Sequence, residues 1–80
     1  MNRFMENFGE RLMEAIRQKE IGETFTLIEL GEELWAEISR EIGAKPAGRM
    51  FGQAVDAGRF PMVERAGIRA AGRANQYIRL

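Results

Sequence analysis

Three stretches of this 80-residue chain repeat their apolar residues at helical spacing, and the pattern then gives way to glycines and β-prone pairs. That switch of period constrains the fold more than any other feature, because side chains three and four apart share a helix face. In residues 2–19 one face carries Phe4, Met5, Phe8, Leu12, Ala15 and Ile16, joined by Met1. Glu6, Glu10, Glu14 and Arg17 lie opposite, and Met13 falls on the polar side. Ile21-Gly22 closes this segment, and Thr24-Phe25-Thr26 is short and β-prone. Thr26 with Glu29 forms a capping box ahead of a second stripe, Leu27, Ile28, Leu34, Trp35, Ile38 and Ile42. Trp35 is assigned to the core. Gly31 either lets two helices approach closely or splits this segment into a short turn and a main helix.

Gly43 stops the second helix, and Pro46 suits the first turn of a third over residues 46–57. That helix buries Ala47, Met50, Phe51, Ala54 and Val55 and turns Arg49, Gly52, Gln53 and Asp56 outward, with Lys45 at its start. Gly58 ends it. Residues 62–65 read as a strand, 66–74 as a glycine-rich loop and 75–80 as the return strand. The expected fold is α+β and mostly helical: a long N-terminal helix (1–20), then a short strand, a helix-turn-helix and a β-hairpin within 24–80. One domain is expected from this length, burying only about 60–65 % of its unfolded surface.

Cysteine and histidine are both absent. This leaves no disulfide, no thiolate or imidazole metal site and no histidine general base, and no cofactor is expected. No phosphate-binding glycine loop with lysine, hydrolase elbow or paired-carboxylate site stands out, so the chain is not read as an enzyme. No apolar run approaches the roughly 18 residues needed to span a membrane. Glu6 and Glu10 interrupt the order expected of a signal peptide, and a cytoplasmic location is expected.

The net charge of zero conceals a division. Residues 1–42 hold 5 Lys/Arg against 10 Asp/Glu, a balance of −5; residues 43–80 hold 7 against 2, a balance of +5. The cations fall on the third helix and the hairpin, which points to a polyanionic partner.

The order of elements, with its cations after the turn, resembles the winged helix-turn-helix superfamily. More narrowly, residues 25–80 are similar to a group of small bacterial and phage proteins of uncharacterised function. Phe25-Thr26-Leu27, Trp35, Gly48-Arg49-x-Phe51, Val55-x-x-Gly58, Pro61-x-Val63, Gly67 and Tyr77 carry this resemblance. It implies DNA binding through the third helix and a hairpin wing, and supplies no ligand.

Lys45, Arg49, Gly52, Gln53, Arg65, Arg69 and Arg73 are the expected DNA-binding residues. Arg49 and Gln53 have the chemistry to read guanine and adenine in the major groove. Gly52, like Gly48, leaves room for a backbone to approach, and Asp56 would repel phosphate. Arg65, Arg69 and Arg73 would clamp phosphates or enter the minor groove from the hairpin. The bland alternatives are a solvated helix face and a solvated loop. Phe4, Met5, Phe8 and Leu12 are the expected homodimer interface, because the elements after Leu27 already supply a core. The resulting expectation is a small dimeric transcriptional regulator, such as a repressor, bound to double-stranded DNA. The competing class is a phage-like protein-binding module that inhibits or assembles a partner complex through the N-terminal helix or the acidic face.

Overall fold

The first apolar stripe folds as helix α1, Arg3–Arg17. Phe4, Phe8, Leu12 and Ile16 recur once per turn and are fully or almost fully buried. The helix stops two residues short of Lys19. The amides of Gln18 and Lys19 donate to Ala15 and Ile16, three residues back, which tightens the final turn. The computed structural model describes residues 3–69 and 74–80. After α1 come strand β1 (Thr24–Phe25), a 3-10 turn (Ile28–Leu30), helices α2 (Glu32–Glu41) and α3 (Ala44–Asp56), and strands β2 (Val63–Arg69) and β3 (Ala74–Arg79). The strands form one antiparallel sheet in the order β1-β3-β2.

Glu29 reaches back to accept from the Thr26 amide (2.9 Å), the side-chain bond that a capping box at Thr26 and Glu29 calls for. What it caps is the 3-10 turn, because Gly31 splits the segment and α2 starts after it. Only Gly43 and the last residue of α2's C-terminal turn, Ile42, separate α2 from α3. Pro46 therefore sits inside the first turn of α3, where a missing N–H costs nothing. At the far end, Gly58 adopts φ +79°. Its amide donates to Val55 and the amide of Arg59 to Ala54, a Schellman closure that a side-chain-bearing residue would strain.

The hairpin strands are longer than the sequence suggests. Residues 66–69 belong to β2 and not to a loop. Between Arg65 and Gly67 the register shifts, leaving Ala66 as the extra residue of a β-bulge with Gly67 at φ +106°. Gly67 thus serves a bulge where it had suggested a loop. The tip at 70–73, including the expected site residue Arg73, lies outside the described residues.

The core joins all these elements. Phe51 of α3 meets Phe60 (centroids 5.1 Å apart) and stands edge-on to Tyr77 of β3 (4.8 Å). Tyr77 in turn meets Phe25 of β1 (6.1 Å). α1 closes this core by packing on the 3-10 turn, α2 and α3. The expected dimer surface is corrected by that packing: Phe4 and Leu12 are 0 % exposed and Phe8 is 1 % exposed. Met5 is half-buried against the same core. The elements after Leu27 leave one side of the core uncovered, and the apolar stripe of α1 covers it. Trp35, expected inside, is only half-buried.

Phe8→Ala should therefore lose about 3–5 kcal/mol of stability in urea unfolding. Phe8→Glu should fail to fold and not yield a folded monomer, which circular dichroism would read directly.

Candidate nucleic-acid interface

Four-residue spacing places Lys45, Arg49 and Gln53 in one line along the outer face of α3. All three are exposed. Among the described residues none of them takes part in an ion pair. In the acidic half Arg11 of α1 is paired with Glu37 of α2, and Arg17 and Lys19 pair with Glu14 and Glu23, while Arg40 is exposed and takes part in no ion pair among the described residues. The unpaired cations of α3 thus stand on a face with no carboxylate bound to them.

At its C-terminal end this face is closed by a clamp. Arg65 of β2 donates from Nε to Asp56 Oδ1 (2.7 Å) and from a terminal nitrogen to Oδ2 (3.0 Å). The bidentate match of guanidinium and carboxylate holds both groups in one plane. The guanidinium also lies over the Tyr77 ring, 5.9 Å from its centroid. Asp56 does not stand as a bare repulsive charge toward phosphate, as its sequence position suggests. Hydrogen bonding to Arg65 lowers the Asp56 pKa, with Coulombic attraction adding to it, while partial desolvation acts the other way. Burial is the main cause of the raised Tyr77 pKa, and the neighbouring Arg65 opposes it.

The clamp corrects the reading of Gly52. That residue is buried, not outward. A Cβ there would lie 2.6 Å from the Arg65 guanidinium and 3.3 Å from the Tyr77 hydroxyl oxygen. Gly52 makes room for Arg65 to cross α3, and no outside backbone can use that space. Gly48 behaves differently: a Cβ there would meet nothing within 4 Å, so helix packing does not require glycine at this position. Arg69 closes β2, its backbone opposite Ala74. Of the seven expected site residues, Lys45, Arg49, Gln53 and Arg65 line one groove of about 520 Å³.

That groove contains residues the sequence does not assign to a binding site. Its apolar wall is made by Leu27, Ile28 and Trp35, and Asn75 of β3 lines it as well. Ile28 is 53 % exposed. The helical stripe had placed Ile28 and Trp35 in the core, but the break at Gly31 lets the 3-10 turn rotate Ile28 away from it. Arg65 and Asp56 are nine residues apart, across a turn, and no local pattern joins them. Among the described residues no cluster of acidic groups could hold a metal ion, and no helix is long and apolar enough to cross a membrane.

The lowered pKa of Asp56 fixes the pH behaviour of the clamp. A carboxyl whose folded pKa is depressed adds stability above its unfolded value of about 3.9 and loses it as pH falls through the folded value. The Arg65 Nε–H should stay protected from exchange in NMR spectra through neutral and mildly acidic pH, then lose protection in stronger acid. In Asp56→Asn that protection should already be reduced at neutral pH. In comparisons with known proteins no family model matches this chain, and no curated protein or solved structure shows significant similarity to it.

Proposed function

We propose that this protein is a small winged-helix domain that binds double-stranded DNA, with α3 in the major groove and the β2–β3 hairpin as the wing, and that it acts in transcription regulation. The observation that carries the reading is the exposed line Lys45, Arg49 and Gln53 on α3, unpaired with any described carboxylate in a chain whose other half is acidic. Two features support it. The helix, strand, helix, helix, hairpin order is the one a winged helix uses, and packing of β2 on α3, with Arg65 bound to Asp56, sets the hairpin beside the third helix. Arg49 and Gln53 also have the hydrogen-bonding groups that discriminate guanine and adenine.

In this reading Lys45, near the start of α3, and the hairpin arginines contact phosphate, while Arg49 and Gln53 meet base edges. Arg65 acts indirectly: held by Asp56, it ties the hairpin to α3 and sets the angle between wing and helix. Two copies on paired half-sites would meet through a surface other than Phe4, Phe8 and Leu12, which the monomer core already uses.

Fluorescence anisotropy with labelled duplexes at two salt concentrations tests the reading. Arg49→Ala should cost about 1–3 kcal/mol and relax sequence preference. Lys45→Ala should weaken all sequences alike and lower the salt slope by about one. Glu33→Gln, on the acidic half, should leave affinity unchanged. No binding of any duplex at low salt would overturn the proposal.

A further inference from the structure

Phosphate contacts need cations, and they do not need an apolar floor. The groove beside α3 has one: Ile28, 53 % exposed, and the half-buried Trp35 of α2 line it together with the exposed Lys45 and Arg49. On the acidic half of the same chain stands a feature of the opposite kind. Ile21, at 79 % exposure the most exposed large apolar side chain of the described residues, lies between Glu20 and Glu23. Its turn is pinned. The Gly22 amide donates to the Arg79 carbonyl (2.7 Å), the Arg79 amide to the Glu23 carbonyl (3.0 Å), and the Glu20 amide to Glu23 Oε1 (3.0 Å). An apolar knob flanked by two carboxylates is therefore held ready, at little further cost in ordering.

The knob lies outside its own groove: Ile21 is 79 % exposed and takes no part in the lining. Its turn is tied to the Arg79 end of β3, whereas that strand lines the groove through Tyr77 and Asn75, two and four residues away or about 7 and 13 Å along a strand. We propose that the turn at 20–23 of one copy seats in the groove of a second copy, Ile21 against Ile28 and Trp35, Glu20 and Glu23 toward Lys45 and Arg49. Among the described residues the turn has one ion pair, Glu23 with the half-buried Lys19 at 3.7 Å; it is long, the Glu23 side chain is exposed, and a surface pair of this kind is readily exchanged for a new partner. Such a contact is heterologous: it joins two different patches, so copies add head to tail. It uses the same two cations as the DNA reading, so duplex DNA and a second copy exclude one another at this face. The contact itself does not rest on that reading.

The test is sedimentation velocity up to about 1 mM protein at about 50 mM salt, with emission of Trp35, the single tryptophan, reporting on the groove. The wild type should associate with rising concentration, and about 0.5 M salt should weaken this at least tenfold, because exposed charges are screened. Ile21→Ser and Arg49→Glu, both at exposed positions, should stay folded by circular dichroism and sediment as monomers. Mixed in equal amounts, the two variants should form a dimer and nothing larger, since one keeps the groove and the other keeps the knob. A monomeric wild type, undiminished association of Ile21→Ser, or a mixture that stays monomeric would each overturn the proposal. A wild type that binds duplex DNA but never self-associates rejects this contact and leaves the DNA reading standing. Self-association without DNA binding does the reverse.

Discussion

The edge-on contact between Phe51 and Tyr77 is where the helical layer and the sheet become one core. Tyr77 lies on β3, the central strand, so what fixes its ring fixes both neighbouring strands. Phe51 lies midway along α3, so the same contact sets how that helix lies on the sheet. Aromatic pairs prefer such tilted or edge arrangements and contribute about 0.5–1.5 kcal/mol beyond their buried area. The exposed line on α3 is the outer side of this packing. Phe51 points in, and so Arg49 and Gln53 on the opposite arc point out.

Burial and exposure on α3 were legible because one period governs them. Ala47, Phe51, Ala54 and Val55 are buried, and Lys45, Arg49 and Gln53 are exposed, as the spacing suggests. Gly52 was misread because glycine has no polarity to report, and the guanidinium that fills its space arrives from a strand thirteen residues on. Ile28 leaves the core because the helical period does not carry across Gly31, where the chain passes from the 3-10 turn into α2; Trp35, beyond that break, is half-buried against the core. The hairpin was under-read for a related reason: Gly67 marks a bulge inside a strand, and a bulge and a loop look alike in composition. The role of α1 is not legible from the number of core-forming elements, because it depends on which side of the core those elements leave bare.

Charge and packing are partitioned differently in the two halves of the molecule. In the acidic half, Arg11, Arg17 and the half-buried Lys19 lie in surface ion pairs that contribute little to stability, and Arg40 lies in none among the described residues. In the basic half one arginine is locked by Asp56 and stacked on Tyr77, while the helix cations are left without a described partner. The one bidentate pair among the described residues thus serves to align two elements. Its remaining positive charge stays solvated, the state from which a polyanion or an acidic surface can draw it.

The bulge at Ala66 has a consequence for how the sheet ends. Strand β2 lies on an outer edge, where a row of backbone donors and acceptors could template another strand. An unpaired extra residue interrupts that row midway and increases the local twist. Glu64 and Arg65, both exposed, place charge just before the interruption. The opposite edge, β1, has only two residues and offers too short a ladder to extend. Neither border of this small sheet can readily be continued by a foreign strand, so growth by strand addition, the cross-β route to a fibre, is blocked at both edges.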